Sequence, residues 1–168
     1  MNSNLDVRIA NESDAESLLK IYRPYVQNTA ISFETTVPTI AEFEKRIRAV
    51  NDDWLWLVAM KGDLAIGFAY GSAHRPRKAY KYSVETSAYI QEFYHRQGVA
   101  RMLYNKLLFG LANRGYRNAY AGIALPNEAS IMFHKSMGYG CIGVFPDVGY
   151  KFEKWHDVAW LHKPLAKP

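Results

Sequence analysis

Residues 82–101 read YSVETSAYIQEFYHRQGVAR, and they predict the strand, turn and helix around which the fold is built. Val, Thr, Tyr and Ile are frequent from Tyr82 to Ile90, which favours a half-buried strand. That strand carries one acid, Glu85. Apolar residues then recur at a helical period from about Gly98 until Gly115 offers a C-terminal stop. The stretch therefore predicts a strand that runs through a glycine turn into a long helix.

The turn before this helix predicts a phosphate site. A glycine at a strand-to-helix junction lets backbone N–H groups approach a ligand, and the first turn of a helix presents unpaired donors. Two arginines add positive charge. The alternative is an ordinary surface turn with two solvated arginines, because short glycine motifs are weak signals. The residues of this predicted cradle are Arg96, Gln97, Gly98, Val99, Ala100 and Arg101.

The elements on either side of this unit alternate between helix and strand patterns. Capping boxes at Ser13–Glu16 and between Thr39 and Glu42 predict two early helices, and Asn127 predicts the cap of a later one. This order predicts an α+β domain with a mixed, mainly antiparallel sheet flanked by helices. The predicted strands are Val7–Ala10, Trp54–Met60, Leu64–Gly71, Tyr82–Ile90, Ala119–Leu125, Tyr139–Val148 and Trp155–Lys163, with Gly149–Lys154 joining the last two.

Length and composition are those of one domain. A chain of 168 residues with 49% hydrophobic content can bury a single core, so we predict one domain over residues 1–168. The longest apolar runs fall far below the roughly 18–20 residues that span a bilayer. The N-terminal MNSNLDVRIA lacks the apolar segment of a signal peptide. We therefore expect a soluble cytoplasmic protein without a membrane partner.

The net charge of +5 comes from Lys and Arg spread along the chain, with one local cluster at His74–Lys78 and Lys81. A basic cluster interleaved with Tyr80 and Tyr82 is compatible with nucleic-acid binding. Four Lys and Arg charges are few, however, and the sequence shows no nucleic-acid-binding motif beside them. A small anionic ligand, either a carboxylate or a phosphate, accounts for the same charges, so we expect no nucleic-acid partner.

The single cysteine, Cys141, excludes an internal disulfide. The apolar stretch around it, Tyr139–Val144, predicts a buried, inert thiol rather than a nucleophile. The five histidines lack the close spacing that metal ligands show in sequence. We therefore expect no metal ion.

A set of short motifs is spread over nearly the whole chain. One of them, HRQGVA at residues 95–100, fits the pattern Q/R-x-x-G-x-G/A except at His95. The others are Ile31–Thr35, Ala79–Tyr80, Ser83–Glu85, Leu125–Asn127, His134 with Gly138–Tyr139, Gly149–Lys151 and Trp155–Val158. Together they resemble the GNAT superfamily of acetyl-CoA-dependent N-acetyltransferases, close to its phosphinothricin and methionine sulfoximine N-acetyltransferase branch.

This resemblance implies a GNAT-type sheet of about seven strands flanked by about four helices. It implies that acetyl-CoA is the co-substrate and that the acetyl group passes directly to an amine within a ternary complex. The implied acceptor is the α-amino group of a small amino acid analogue, of the phosphinothricin, methionine sulfoximine or methionine sulfone type. It also implies a homodimer, and herbicide resistance as an outcome of phosphinothricin acetylation.

Acetyl transfer from a thioester to an amine needs a cofactor cradle, a donor to the thioester oxygen, a proton acceptor and an acid for the thiolate. By the resemblance, the strand before the cradle splays from its neighbour, so that Ala88, Tyr89 and Ile90 meet the pantetheine arm. The Tyr89 N–H, or one beside it, is implied to polarise the carbonyl. Glu85 is the implied general base, and its alternative is a solvated strand carboxylate. His134 is the implied acid or proton relay, and its alternative is a partly exposed helical histidine.

The resemblance also places residues around the two substrates. Asn127, besides capping its helix, and Ser136 are implied contacts of the cofactor. Phe33 is implied to line the substrate pocket, although the residues alone favour a core side chain. The implied substrate contacts are Phe33, Arg75, Pro76, Arg77, Tyr80, Glu85, Thr86 and Ser87.

Two other functions remain open from the sequence. The same chemistry could act on another small amine or on a protein N-terminus. A non-catalytic module that binds acyl-CoA, or a basic module that binds nucleic acid, belongs to a different class. The presence of both Glu85 and His134 beside the cradle motif favours the enzyme.

Overall fold

The computed structural model describes residues 5–165, which form one seven-stranded sheet with helices on both faces. The strands are β1 (Leu5–Ile9), β2 (Trp56–Lys61), β3 (Leu64–Ala73), β4 (Ser83–Ile90), β5 (Asn118–Ala124), β6 (Gly140–Lys151) and β7 (Lys154–Pro164). The helices are α1 (Ala15–Asn28), α2 (Ile40–Asp53), α3 (Val99–Asn113) and α4 (Glu128–Ser136). The spatial order of the strands is β1-β2-β3-β4-β5-β7-β6. Only the β4–β5 pair is parallel within this part of the chain, so the predicted mixed, mainly antiparallel α+β fold is confirmed.

The core lies in two layers, one on each face of the sheet. α3 buries Leu103, Leu107 and Leu111 against one face, and each is 0% exposed. α1 and α2 cover the other face, where Leu18 and Ile47 are equally buried. Each such side chain contributes about 1.5–3 kcal/mol through burial, which fixes the helices that flank the site. Among residues 5–165, no helix has both the length and the apolar composition that crossing a membrane requires.

Two predicted helix caps are confirmed. The Thr39 hydroxyl accepts a hydrogen bond from the Glu42 N–H, and the Glu42 carboxylate accepts one from the Thr39 N–H. The Asn127 side-chain oxygen accepts from the Ser130 N–H at 3.1 Å. These bonds satisfy donors that a helix start would otherwise leave unpaired, which fixes where α2 and α4 begin.

The capping box predicted at Ser13–Glu16 is wrong. Asn11 and Asp14 form the box, and it starts a short 3-10 helix at Glu12–Asp14 that precedes α1. The Asp14 carboxylate reaches back to the Asn11 N–H at 2.9 Å and to the Arg8 guanidinium at 2.7 Å. The acid of the box is therefore Asp14, two positions before the predicted Glu16.

The last hairpin is tighter than the sequence predicts. β6 continues to Lys151 and β7 begins at Lys154, so two residues replace the predicted connection Gly149–Lys154. Phe152 and Glu153 both have positive φ, at 54° and 58°. Two-residue turns of this kind usually carry Asn or Gly, so the sequence gives no local signal for this one.

Lys151, at the end of β6, has a buried ammonium group that contacts the N-terminal part of the chain. It is only 4% exposed, and burial lowers the pKa of its ammonium group. Its Nζ donates to the carbonyls of Val26, Thr29 and Ser32 at 2.7, 2.8 and 2.7 Å. Lys151 therefore joins β6 to the end of α1 and to the loop over residues 29–38.

Cys141 is exposed, so the predicted buried thiol is wrong. The apolar neighbours that suggested burial, such as Ile142 and Val144, are themselves exposed. The reason is topological, because β6 is the outer strand of the sheet and has one strand neighbour, β7.

Candidate active site

β4 and β5 separate after a short parallel contact. They pair only over Ser83–Glu85 and Asn118–Tyr120, whereas β4 stays paired with β3 as far as Ile90. The facing edges of β4 beyond Glu85 and of β5 beyond Tyr120 therefore border a gap in the sheet. This is the splay that the resemblance implied.

Two adjoining cavities open into this gap. We call them the helix-side cavity, whose lining includes Ala88, Asn127 and His134, and the Glu85 cavity, whose lining includes Glu85 and Arg75. The Glu85 cavity has a volume of about 370 Å³. The two cavities adjoin, because five residues line both. They are Ile31, Thr86, Ser87, Gly122 and Ala124.

The turn before α3 presents an open cradle at the mouth of the helix. Arg96 and Gly98 have positive φ, at 61° and 80°, which curls the backbone around the turn. Within the described residues, no side chain caps α3, so its first N–H groups are left for a ligand. A Cβ added to Gly98 would meet no heavy atom within 4 Å, which leaves room for a phosphate. The helix dipole and the exposed arginines favour an anion there.

Two further contacts brace this cradle. The Arg101 guanidinium donates to the Ser136 hydroxyl at 2.9 Å, so the predicted cofactor residue Ser136 lies beside the cradle. The Gln97 side chain donates to the Phe93 carbonyl at 2.8 Å. Gln97 therefore stabilises the turn with its side chain and leaves its backbone for a ligand.

Replacing Gly98 with Ala is expected to raise the KM for acetyl-CoA by about tenfold, which corresponds to about 1.4 kcal/mol. A Cβ disfavours the left-handed conformation and occupies the face that a phosphate would approach. Gly115→Ala is the matched control, because Gly115 has φ 89°, equal free space, and a position beyond the other end of α3. Steady-state kinetics with varied acetyl-CoA measure the effect. Equal KM changes in both variants would mean that the turn does not bind the cofactor.

The alternation of the strand assigns the ligand-facing amide to Ala88 rather than Tyr89. The Gln91 N–H donates to the carbonyl of Ile66 in β3 at 2.9 Å. Backbone N–H groups alternate sides along a strand, so the Tyr89 N–H also points to β3. The Ala88 N–H points into the gap. The prediction that Tyr89 itself polarises the carbonyl is corrected to this neighbouring residue.

The Ile90 N–H points into the gap as the Ala88 N–H does, but the backbone groups of Ile90 already have partners. The Tyr25 hydroxyl donates to the Ile90 carbonyl, and the His95 Nε2 lies 3.0 Å from the same oxygen. The Ile90 N–H lies 3.4 Å from the Tyr25 hydroxyl. The predicted cofactor contact of Ile90 is therefore not supported. His95, which stands where the motif has Gln or Arg, contacts the Ile90 backbone instead.

The Glu85 carboxylate faces the cavity rather than bulk solvent, with 29% of its side chain exposed. Its Oε1 lies 2.9 Å from His74 Nδ1 and 3.7 Å from the Arg75 guanidinium. Among residues 5–165, no hydrogen-bond partner is found for its Oε2. One oxygen is thus held by two neighbours, and the other faces the cavity without a partner among the described residues.

His134 is a buried, neutral member of a hydrogen-bonded pair, and the alternative of a partly exposed histidine is wrong. Its ring is 7% exposed, and burial lowers its pKa. The Nδ1 lies 2.8 Å from the Ser130 carbonyl, which only accepts, so Nδ1 carries the proton. The bare Nε2 then accepts from the Tyr104 hydroxyl at 2.9 Å. Burial also raises the pKa of Tyr104 well above its usual value, so this hydroxyl keeps its proton.

The predicted substrate residues divide into two groups. Phe33, Arg75, Thr86 and Ser87 line the Glu85 cavity with Glu85 itself. Pro76, Arg77 and Tyr80 are exposed and lie outside that lining.

Phe33 belongs to the pocket wall and not to the core, since it is 40% exposed. Its ring lies 2.4 Å from the position that a Cβ on Gly149 would occupy. Gly149 on β6 therefore has to lack a side chain for Phe33 to sit on the cavity. The glycine explains why this wall can form next to a strand.

Several residues of the site carry no signal in the sequence. In the sequence, Tyr104 is one more apolar position of α3, and Trp160 is part of a late strand. In the structure, Tyr104 lines the helix-side cavity and Trp160 lines the Glu85 cavity. The Arg75 guanidinium stands 5.6 Å from the centre of the Trp160 ring, a cation–π distance that steadies the arginine. His74, which contacts Glu85, appeared only as one member of a basic cluster.

Comparison with known proteins agrees with this geometry. The family described as acetyltransferase (GNAT) domain matches residues 7–160. A phosphinothricin N-acetyltransferase of Streptomyces coelicolor is 34% identical over 97% of this chain and 98% of its own length. An L-methionine sulfoximine/L-methionine sulfone acetyltransferase of Salmonella typhimurium is 28% identical over 96% of this chain and 95% of its own.

A solved structure gives the same result for the fold. The phosphinothricin acetyltransferase of Sinorhizobium meliloti, in complex with acetyl-CoA, superposes with a TM-score of 0.92. It is 30% identical, and the match covers 99% of this chain and 90% of that one. The predicted resemblance and the predicted enzyme class are confirmed. The chain belongs to the GNAT family of acetyltransferases.

Proposed function

We propose that this protein transfers the acetyl group of acetyl-CoA to the α-amino group of a small amino acid analogue, of the phosphinothricin, methionine sulfoximine or methionine sulfone type. One observation carries the proposal: the Glu85 carboxylate and the Ala88 amide lie in adjoining cavities beside an open cradle. A direct attack within a ternary complex needs this arrangement, because both substrates must be present at once. The named relatives support the choice of substrate class.

The residues of the gap fit acetyl-CoA, which would supply an activated acetyl thioester. The first-turn amides of α3, with Arg96 and Arg101, would hold the diphosphate. The Ala88 N–H would donate to the carbonyl oxygen, where negative charge develops during the attack. Asn127 lines the helix-side cavity and could contact the pantetheine arm while it caps α4.

Glu85 would remove the proton that blocks the amine. An α-ammonium is more acidic than a lysine ammonium, so a carboxylate acting directly or through water can accept its proton. The first proton would go to Oε2, and the freed nitrogen lone pair would form the C–N bond. The nitrogen would then pass its second excess proton to water as the C–S bond breaks. The thiolate leaves with the electron pair of that bond.

The Tyr104–His134 pair would stabilise this thiolate. His134 Nε2 only accepts in the neutral ring, so the transferable hydrogen of the pair belongs to the Tyr104 hydroxyl. Burial raises the pKa of that hydroxyl above the value of about 8.5 for a thiol. The hydroxyl has one hydrogen, so it would turn from His134 Nε2 to donate to the sulfur, and water would supply the final proton. In this proposal His134 holds the hydroxyl before the transfer, in place of the acid or proton relay that the resemblance implied.

Arg75 would bind the anionic end of the acceptor. It lines the Glu85 cavity, and its planar guanidinium suits a carboxylate or a tetrahedral phosphinate. Phe33 and Trp160 supply apolar walls on the same cavity. An amino acid whose carboxylate or phosphinate contacts Arg75 while its α-amine approaches Glu85 fits these contacts.

Release of free CoA with a panel of acceptors tests the proposal. Phosphinothricin, methionine sulfoximine and methionine sulfone are compared at equal concentration with methionine and with a short peptide that has a free N-terminus. We expect the first three, or one of them, to turn over fastest. Faster turnover of the peptide would favour a protein N-terminus as acceptor. Binding of CoA without turnover of any amine would favour a non-catalytic module.

The homodimer implied by the resemblance belongs to this proposal. Arg77 and Tyr80 are exposed and lie outside the lining of their own Glu85 cavity. In a dimer, they would be free to contact the site of the neighbouring subunit. Sedimentation of the protein alone measures the oligomeric state, and a monomer at micromolar concentration would contradict this part of the proposal.

A further inference from the structure

We infer that His74 is a positioning residue, which holds one oxygen of Glu85 so that the other is presented to the substrate amine. The inference deepens the proposed function and rests on it. His74 follows the last residue of β3, and Glu85 lies opposite Ser72 in the β3–β4 ladder. The two side chains therefore meet across neighbouring strands at the edge of the Glu85 cavity.

The contacts of Glu85 are asymmetric. His74 Nδ1 lies 2.9 Å from Oε1, and the Arg75 guanidinium lies 3.7 Å from the same oxygen. An ionised carboxylate only accepts hydrogen bonds, so Nδ1 must carry the proton of this contact. With Oε1 occupied, the lone pairs of Oε2 are the ones left for the ammonium group.

The imidazole is itself held in place by aromatic rings. It stacks on Tyr120 with 4.4 Å between ring centres and 13° between planes. The edges of Tyr80 and Trp160 approach it at 5.9 and 6.0 Å. The His74 side chain is only 14% exposed, so this packing restricts its rotation. A fixed imidazole fixes the carboxylate rotamer, which a solvated glutamate on a strand would not keep.

The proton movement is simple under this arrangement. The N–H bond of the ammonium breaks, an O–H bond forms at Glu85 Oε2, and the amine keeps its lone pair for the carbonyl carbon. His74 keeps its own proton on Nδ1 throughout and donates to Oε1 before and after the transfer. Arg75 is the charged group nearest the pair, and Tyr80 and Tyr120 are the titratable groups against the ring.

Two substitutions separate the hydrogen bond from the packing. His74→Phe keeps a flat ring on Tyr120 but removes the donor, whereas His74→Asn keeps an amide donor near the position of Nδ1. His162→Phe is the matched control, because His162 packs at 4.9 Å on the same Tyr120 ring, and its Nε2 bonds to Asn118.

We expect His74→Phe to lower kcat/KM for the amine by about 10- to 100-fold, the range for a lost hydrogen bond to a charged group. KM for acetyl-CoA should stay unchanged. His74→Asn should recover most of the rate, because it restores a donor to Oε1, and His162→Phe should keep the rate of the unsubstituted protein. An unchanged kcat/KM in His74→Phe, or an equal loss in His74→Asn, would overturn the inference.

A second measurement does not depend on turnover. Imidazole nitrogen spectra of the unsubstituted protein near pH 8 should show His74 with a protonated Nδ1. A bare Nδ1 would overturn the inference whatever the rates are. If no amine is acetylated, the proposed function fails while the Nδ1 proton can still be seen. If Glu85→Gln is inactive but His74→Phe is not, only the role of His74 fails.

Discussion

Replacing Glu85 with Gln is expected to lower kcat by about 10²–10⁴-fold, the usual contribution of a general base. The amide is isosteric, and its oxygen can still accept from His74 Nδ1, so the local structure should persist. The amide nitrogen, which takes the place of Oε2, cannot accept a proton. The ammonium group of the acceptor would then have to lose its proton to water alone. Single-turnover kinetics with saturating acetyl-CoA measure the chemical step directly.

Glu92→Gln is the control for this experiment. Glu92 lies in the short helix after β4, is exposed, and lies outside the lining of both cavities. Its substitution removes the same charge and should leave kcat unchanged. A near-normal rate for Glu85→Gln across the pH range would move the base to another group or to water.

Replacing Lys151 with Met is expected to lower the free energy of unfolding by about 2–4 kcal/mol, because buried carbonyls lose their donor. Met has a similar length, so the change removes the ammonium group and keeps most of the packing. KM for the amine should also rise, since the loop held by Lys151 carries Ile31 and Phe33 of the Glu85 cavity. Urea unfolding and acceptor kinetics measure the two effects.

Lys154→Met is the matched control, because Lys154 is exposed at the start of β7, three positions away. We expect it to change neither the midpoint of unfolding nor KM. Equal stability of the two variants would show that water replaces the Lys151 ammonium at the three carbonyls. The loop would then be held by its other contacts.

Local patterns in the sequence predicted the central unit and its caps. The strand over Tyr82–Ile90 and the helix from about Gly98 differ from β4 and α3 by one residue at their starts. Thr39 and Asn127 cap their helices as predicted. These features depend on alternation, periodicity and capping within a few residues, and such short-range chemistry can be read from one chain.

The parts of the site that the sequence did not predict depend on distant contacts. Tyr25 reaches Ile90 across 65 positions, and Lys151 reaches Val26 across 125. Propensity does not describe such contacts, because the strand order of the sheet creates them. The choice of Ala88 over Tyr89 needed the ladder with β3, since alternation without a partner strand does not say which side is free.

The Lys151 contacts also order events in the assembly of the site. A ribosome completes the cradle, Glu85 and α4 before it reaches Lys151, whereas the loop over residues 29–38 is made near the beginning. The part of the Glu85 cavity wall that carries Ile31 and Phe33 is therefore held by a residue made more than a hundred positions later. This wall can take its final place only once synthesis has passed Lys151.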